Sequence, residues 1–275
     1  MGLLLIRLMS IINTAELNSI GYHIANGLLE NYEQISQASI GEMAKLVNVS
    51  KSTVSKFARQ IGFDDYSDLK DNAGFVENRF GNKLNYLTNI HERLENNQLD
   101  QYFQSVQADI QSLHDKISID AVTRFAHYLV DYQKIGAFGL LFSESAAIDF
   151  QYKLAYTGKF IRTFQSDLNQ QEFIRNADQD TLIVVFTNSG NFLRKEQLRV
   201  GTPAKNLFRQ TKGKVIAISA DETVKDLDYV DDALIFSNSS DFQTHQFIFQ
   251  IIIDLVVAKY SQLLTSKADL NAKLK

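Results

Sequence analysis

The spacing of apolar residues changes once along the chain, near residue 130. As far as about residue 80, apolar residues recur with the period of an amphipathic helix, and the pattern predicts helices throughout. Further on, five short β-rich runs alternate for the most part with segments of helical length, which is typical of a parallel sheet covered on both faces. We therefore predict an all-α domain followed by an α/β doubly wound domain with a five-stranded parallel sheet. The predicted strands are residues 134–139, 159–164, 181–186, 214–219 and 232–236.

This change of period also suggests where the domains begin and end. We predict a helical domain over residues 1–80 and the α/β domain over residues 121–275. The polar stretch from Gly81 to about Asn97 suits a connection, so residues 81–120 are interpreted as a helical linker.

Residues 40–59 predict two short amphipathic helices that meet at a tight turn. Ser39 and Glu42 have the spacing of a capping box at the start of the first helix. Asn48 lies where the chain must bend, and asparagine tolerates the left-handed backbone conformation. Ser50 is a suitable N-cap for the second helix. Together these signals predict a helix-turn-helix.

The second helix of this motif has two different faces. Val54, Phe57, Ala58 and Ile61 share one face, and the opposite face is cationic and rich in hydroxyls. An ordinary helical hairpin is the alternative, but no acidic residue stands between Glu42 and Asp64, so positive charge is concentrated here in a mildly acidic chain. The helix is therefore predicted to enter the major groove of DNA. The predicted DNA-binding residues are Ser50, Lys51, Ser52, Thr53, Ser55, Lys56 and Arg59.

Composition excludes several other classes of site. The 275 residues are 45% hydrophobic and 22% charged, with a net charge of −4, as in soluble proteins with a packed core. There is no cysteine, which excludes disulfides and thiolate chemistry, and the five histidines are too scattered for a metal site. The apolar runs at the N-terminus and at residues 247–257 are short and interrupted by polar residues. The first is interpreted as a core helix and the second as a buried or interface helix. We expect a cytoplasmic protein without a metal or cofactor.

Polar residues follow the first and third predicted strands. In a five-stranded flavodoxin-like order these strands flank the switch point, where ligands bind beyond the carboxyl ends of the strands. Hydroxyls and free amides at the start of two helices would suit a phosphate. The same residue types are also ordinary helix caps, and position alone does not decide between the two interpretations. The candidate effector residues are Ser143, Ser145, Thr187, Asn188 and Ser189.

Two stretches carry a family resemblance. SIGEMAKLVNVSKSTVSKFARQIGFDDYSDLK is similar to the helix-turn-helix domain of the RpiR family of bacterial transcriptional regulators. KIGAFGLLFSESAAIDFQYKLAYTGK and IVVFTNSGN resemble the two motifs of the sugar isomerase (SIS) domain that follows in that family. The resemblance implies a regulator of carbohydrate metabolism genes that binds a double-stranded DNA operator and senses a phosphorylated sugar or amino sugar.

Two departures from the family pattern bear on the effector. Leu141 occupies the place of a second glycine in the first loop, and Phe192 replaces the last hydroxyl residue of the second. The segment after Phe192, which holds Pro203, looks longer than usual. One alternative is therefore a DNA-binding regulator whose SIS domain has lost its ligand and only dimerises. The other is a sugar-phosphate isomerase, which would need a base; nearby in sequence only Glu144 is available, and it is expected to complement a helix dipole.

The apolar segment from about Phe242 to Leu264 predicts self-association. It is apolar on nearly every helical face, so we expect the sheet to cover one side and a partner subunit the other. Regulators with this motif bind paired half-sites as dimers. We therefore predict a homodimer or tetramer. We also predict that the protein is not an enzyme.

Overall fold

A computed structural model describes residues 3–73, 99–195, 207–237 and 244–273. These residues form two compact units. Of the described residues, the first unit contains 3–73 and 166–168, and the second contains 99–165, 169–195, 207–237 and 244–273. The predicted linker, residues 81–120, lies partly outside the described residues, and its described part contains a helix whose Leu113 belongs to the core of the second unit.

Short helices make up the first unit, and several begin at side-chain caps. The Ser19 hydroxyl accepts a hydrogen bond from the amide of Tyr22 at 3.1 Å, and the Asp65 carboxylate accepts one from the amide of Asp68 at 3.0 Å. The helices enclose one core in which Leu4, for example, is fully buried. They are α1 (Leu3–Thr14), α2 (Ile20–Glu30), α3 (Tyr32–Ile35), α4 (Ile40–Leu46), α5 (Lys51–Gln60) and α6 (Tyr66–Asp71).

The second unit is an α/β domain. Its sheet has four parallel strands in the order β1-β2-β3-β4, namely β1 (Lys134–Phe138), β2 (Thr181–Thr187), β3 (Lys214–Ser219) and β4 (Asp232–Ile235). Its helices are α7 (Leu99–Lys116), α8 (Ile119–Asp131), α9 (Phe142–Ala155), α10 (Asp167–Arg175), α11 (Asn191–Lys195), α12 (Leu207–Gln210) and α13 (His245–Lys273), with a 3₁₀ helix at Glu222–Asp226.

The prediction of five strands is wrong, because residues 159–164 do not form a strand. They touch β1 through a single bridge, in which the Ala137 amide donates to the Arg162 carbonyl and the Arg162 amide donates to the Ile135 carbonyl. Phe160 is 79% exposed, so the alternating pattern marks a half-covered edge and not an inner strand. The segment lies on the edge of β1 that β2 does not use. The sheet therefore has the order β1-β2-β3-β4, and residues 159–164 lie beside β1, where the predicted flavodoxin-like order has its second strand.

Both faces of the sheet are covered. Leu182 and Val184 of β2 belong to one core, which includes side chains of α8, α9 and α13. Ile183 and Val185 point to the other face, where they join a second core with α10 and α12. Strands buried on both faces account for the nearly continuous apolar runs in the sequence.

Helix α13 is longer than the apolar run at residues 247–257 suggested. Among the described residues, its segment His245–Ser266 is the one stretch long and apolar enough to cross a membrane by length and composition, with a mean hydropathy of 1.6. One third of that segment is buried, and it packs on α8 and α9 with Ile248, Phe249 and Ile252 in the core. A core helix passes the same test of composition. Phe242, where the predicted helix began, lies outside the described residues.

Candidate nucleic-acid and effector sites

The turn between α4 and α5 is built as the sequence predicts. The Ser39 amide donates to the Glu42 carboxylate at 2.8 Å, and the Glu42 amide donates to the Ser39 hydroxyl at 3.3 Å, which confirms the capping box. The hydrogen bond from the Ser39 backbone lowers the pKa of the Glu42 carboxyl. Asn48 has a φ of 51°, so the predicted left-handed residue is also confirmed.

Two backbone hydrogen bonds fix the end of α4. The Val49 amide donates to the Ala44 carbonyl at 2.9 Å, and the Asn48 amide donates to the Lys45 carbonyl at 3.1 Å. This pairing is a Schellman motif, which reverses the chain over few residues. It follows that α5 starts only a few residues after α4 ends and crosses it.

Helix α5 is anchored by its apolar face. Val54, Phe57 and Ala58 are buried at 2% exposure or less and join the core of the first unit. Ser50 caps the helix, because its hydroxyl accepts a hydrogen bond from the Thr53 amide at 3.1 Å. The buried face fixes the position of α5, and the opposite face of the helix is therefore turned towards solvent.

The residues predicted to bind DNA share that outer part of α5. Lys51, Ser52, Lys56 and Arg59 are exposed. The Arg59 guanidinium donates to the Ser55 hydroxyl at 3.1 Å, which aligns the arginine along the helix. Thr53 and Ser55 are half-buried, and the hydroxyls of Ser50, Ser52 and Thr53 are within hydrogen-bonding distance of one another at the cap.

The start of α4 flanks this surface. A Cβ on Gly41 would lie 2.8 Å from Cε of Lys51, so the lysine side chain lies against the first turn of α4. The capping box occupies the amides of Ser39 and Glu42 at this N-terminus, so Lys51 is the group here that can contact a phosphate.

In the second unit, the strand register brings the two predicted effector loops to one edge of the sheet. Phe138, the last residue of β1, pairs with Val185, two residues before the end of β2. The loops after β1 and β2 therefore leave the same carboxyl edge as neighbours. Ser143 and Thr187, one from each side, are 7% and 5% exposed.

The loop after β1 is packed tightly against the start of α9. A Cβ on Gly139 would lie 2.4 Å from the carbonyl oxygen of Ser143, so only glycine fits there. Leu141 has φ 58° and ψ −120°, a conformation that normally requires glycine, and it precedes α9 without a side-chain cap. The loop thus keeps the backbone path of a glycine at the position where the resembling family has one. Ser145 is exposed, and its hydroxyl donates to the Phe142 carbonyl of its own helix at 2.8 Å.

The loop after β2 is fixed from both sides. The Ala220 amide donates to the Asn188 carbonyl at 3.2 Å. Arg194 of α11 donates to the Ser189 carbonyl at 3.3 Å and forms an ion pair with Asp221 at 2.6 Å. These contacts hold the backbone of Asn188 and Ser189, whose side chains are half-buried.

Phe192 lies in the core beside this loop. It is 6% exposed and packs edge-to-face on Phe208, with ring centroids 5.7 Å apart. It therefore fills the core below α11. The segment with Pro203 falls outside the described residues for the most part.

Sequence reasoning missed one supporting residue and undervalued another. Gln170 is fully buried, and its amide donates to the carbonyls of Gly139 at 3.1 Å and Phe164 at 2.6 Å. Burial raises the pKa of the Glu144 carboxyl to about 7, against a hydrogen bond with Gln165 that lowers it. A glutamine 31 residues from its partner gives no signal in the sequence, whereas Glu144 was visible as the only acid at the loop. Among the described residues no cluster of His, Asp and Glu is placed to hold a metal ion.

Comparison with known proteins identifies the first unit. Residues 7–72 match the family model described as the helix-turn-helix domain of the rpiR family. An uncharacterized HTH-type transcriptional regulator in the aarA 3′ region of Providencia stuartii is 26% identical over 175 residues, which cover 61% of this chain and 60% of that protein. The HTH-type transcriptional regulator HexR of Pseudomonas aeruginosa is 26% identical over 217 residues, which cover 74% of this chain and 70% of HexR.

Among solved structures, the chain is similar to the NanR protein of Vibrio vulnificus complexed with ManNAc-6P. The match covers 99% of this chain and 99% of NanR, with 15% identity and a TM-score of 0.47. The chain spans about 60% of the length of the Providencia relative that it matches. The family model matches residues 7–72, and the turn between α4 and α5 has the geometry of this motif. The N-terminal unit of this chain is therefore a helix-turn-helix domain of the rpiR family.

Proposed function

We propose that this protein is a DNA-binding transcriptional regulator of carbohydrate metabolism genes. Helix α5 enters the major groove of an operator, and Ser50, Lys51, Ser52, Thr53, Ser55, Lys56 and Arg59 supply the contacts. One observation carries the proposal: a helix-turn-helix of the rpiR family presents a cationic, exposed face on α5 over a buried apolar base. The match to curated proteins named as HTH-type transcriptional regulators supports it.

Selection from a random duplex library tests this function. The full chain is expected to enrich one duplex sequence, and to bind it with an affinity that falls steeply as salt rises. Binding that ignores both sequence and salt would contradict the proposal. Specific binding measured at several salt concentrations also gives the number of phosphate contacts, by about 0.9 units of slope for each.

For the second unit we propose an SIS-like domain that binds a phosphorylated sugar or amino sugar between the loops after β1 and β2. The proposed effector-binding residues are Ser143, Ser145, Thr187, Asn188 and Ser189. Two observations support this proposal. Phe192 lies in the core and so does not occupy the loop, and the backbone at Leu141 has a conformation usual for glycine.

Titration with hexose and amino-sugar phosphates tests the effector site. We expect Ser189→Ala to weaken binding at least tenfold, because a hydrogen bond to a charged group contributes about 1.5–3 kcal/mol. Ser105→Ala, which removes a half-buried hydroxyl of α7 that donates to the Gln101 carbonyl, is the matched control and should leave the affinity unchanged. Absence of binding at millimolar ligand, with the fold intact, would favour the alternative in which this unit serves only for dimerisation.

We also propose that the protein has no isomerase activity. The raised pKa of Glu144 would let it act as a base, and this is the observation that favours the alternative. However, an isomerase leaves the helix-turn-helix without a role. Incubation with aldose and ketose phosphates, followed by NMR of the products, separates the two: interconversion that Glu144→Gln abolishes would establish an enzyme.

Self-association is proposed through the outer side of α9 and α13. On α13, Phe247 and Leu255 are 46% and 38% exposed; Tyr152 on α9 and Tyr156, just after α9, are 65% and 93% exposed. The two helices are joined by an ion pair between Lys153 and Asp254 at 2.6 Å. An exposed apolar surface of this kind suits a second subunit. Light scattering is expected to show a dimer or tetramer, and a monomer at micromolar concentration would contradict the proposal.

A further inference from the structure

A groove of about 300 Å³ runs along one side of α5. One wall is formed by Thr53, Lys56 and Gln60 of α5, and the other by Ile20 at the first turn of α2. The buried side chain of Phe57 closes the floor. The groove is therefore continuous with the surface that α5 presents to DNA.

Ile20 is an exposed apolar residue in the wall of this groove. Its side chain is 58% exposed, although a core of apolar side chains lies directly below it in the same groove. Among the residues that line the groove, Lys56 is the charged one, and none is acidic. A surface of this charge can lie against a polyanion without repulsion. The apolar side chain consequently stands at the border of a DNA-binding face, where water would be expelled on binding.

The chemical groups in the major groove limit which part of a base Ile20 can contact favourably. The base edges present hydrogen-bond donors and acceptors, and the C5-methyl of thymine is the apolar group among them. Side chains of α5 on the other wall of the groove supply a hydroxyl, an ammonium and an amide. The half-buried Thr53 also carries a methyl group, whereas Ile20 offers a larger apolar side chain that is 58% exposed.

We infer that Ile20 is a specificity-determining residue that contacts the methyl group of a thymine next to the bases that α5 reads. The inference rests on the proposed function, since it requires α5 to enter the major groove. It extends the DNA-binding surface beyond the helix-turn-helix to the start of α2. The operator is therefore expected to carry a thymine in each half-site that no residue of α5 contacts through its methyl group.

Replacement of single thymines by deoxyuridine tests this contact, because it removes only the methyl group. The probe is the duplex that the wild-type full chain enriches from a random library. At one position in each half-site, deoxyuridine should weaken wild-type binding about fourfold, the effect of one buried methyl group. Ile20→Ala should lose a similar factor on the thymine duplex and show no further loss on the deoxyuridine duplex at that position. Ile20→Val, which keeps a branched side chain, should retain most of the discrimination.

Leu17→Ala is the matched control. Leu17 lies in the turn before α2 and is 72% exposed, but it does not line the groove, so its variant should discriminate between thymine and deoxyuridine as the wild type does. An Ile20→Ala variant with unchanged discrimination at every position would overturn the inference while leaving the proposed function intact. A wild-type chain that enriches no duplex would instead overturn the proposed function, and this inference with it.

Discussion

The polar residues of the two candidate sites differ in their exposure to solvent. On α5, Lys51, Lys56 and Arg59 are exposed, and their charged groups extend into solvent from a buried base. At the carboxyl edge of the sheet, Ser143 and Thr187 are less than 9% exposed, and the backbone around them is held by hydrogen bonds. One surface offers exposed charge, whereas the other offers buried hydroxyls on a backbone that hydrogen bonds hold.

This difference predicts two kinds of sensitivity. Contacts of exposed cations with phosphates are additive to a first approximation and are screened by salt. A packed loop instead responds to changes of a single methyl group, because interior packing leaves no space. The first unit should therefore respond to loss of charge and the second to changes of shape.

Loss of charge on α5 should produce the largest effect. The combined change of Lys51, Lys56 and Arg59 to alanine removes three charged contacts of about 1.5 kcal/mol each, so DNA affinity should fall roughly a thousandfold. The salt slope should fall by about 2.7 units at the same time. Fluorescence anisotropy at several salt concentrations measures both quantities.

A charge-matched variant makes that result specific. Arg175, Lys212 and Lys225 are exposed residues of the second unit, and their combined change to alanine alters the net charge by the same amount. It should leave the salt slope nearly unchanged. Equal losses in the two triple variants would mean that overall charge, and not the face of α5, drives binding.

A change of shape at Gly139 should produce the next largest effect. Its Cβ would meet the backbone of Ser143 at 2.4 Å, so Gly139→Ala should lower the free energy of unfolding of the second unit by about 3 kcal/mol. Hydrogen exchange of the strand amides reports this unit separately. Gly158→Ala is the control: Gly158 has a φ of 80° but no atom within 4 Å of its Cβ, so only the backbone penalty of about 1 kcal/mol applies. Equal losses would show that the close approach of Gly139 to Ser143 costs no more than the backbone penalty at Gly158.

The same contrast explains what the sequence predicts. The capping box joins Ser39 and Glu42, three residues apart, and the turn at Asn48 depends on its immediate neighbours. Helix-turn-helix geometry is therefore visible in a short window. In the effector loops the contacts are distant in sequence, as in the bond from Gln170 to Gly139, so residue types alone identify the loops but not what supports them.

The wrongly predicted strand has a related cause. Residues 159–164 have the alternation of a strand, and burial follows it, with Ile161 at 5% exposure and Phe160 at 79%. What they lack is a continuous ladder to β1, which depends on where the chain enters and leaves the edge. Lys159, whose ammonium donates to the Tyr132 carbonyl at 2.6 Å, fixes that entry through a contact that a local pattern does not contain.

A buried histidine should make the second unit sensitive to acid. His245 is 4% exposed, and burial lowers its pKa to about 4. The unfolded value is near 6.5, so the unfolded chain binds a proton that the folded chain does not as pH falls. This contribution to stability is complete above pH 6.5 and should fall by about 2 kcal/mol at pH 5.

Two variants isolate that effect from the titration of carboxylates. His245→Phe keeps an aromatic ring against Phe249 and should lose less stability between pH 6.5 and pH 5 than the wild type. His127→Phe, at an exposed position, should follow the wild type. Parallel pH profiles of the wild type and His245→Phe would contradict the assignment. Hydrogen exchange of the strand amides is again the measurement.

The smallest expected effect is a change of stability at Leu141. A non-glycine residue at φ 58° and ψ −120° stores about 1–3 kcal/mol of strain, and Leu141→Gly should release it. Glycine also gains freedom in the unfolded chain, which offsets about 0.4–1 kcal/mol, so a net stabilisation of about 1 kcal/mol is expected. Leu141→Ala keeps the Cβ and hence the strain, so it should not be stabilised. Urea unfolding measures the stability of both variants. If both are equally stabilised, the leucine side chain and not the backbone angle lowers the stability of this loop. If only Leu141→Gly is stabilised, tighter binding of sugar phosphates by that variant would show that the loop binds an anion.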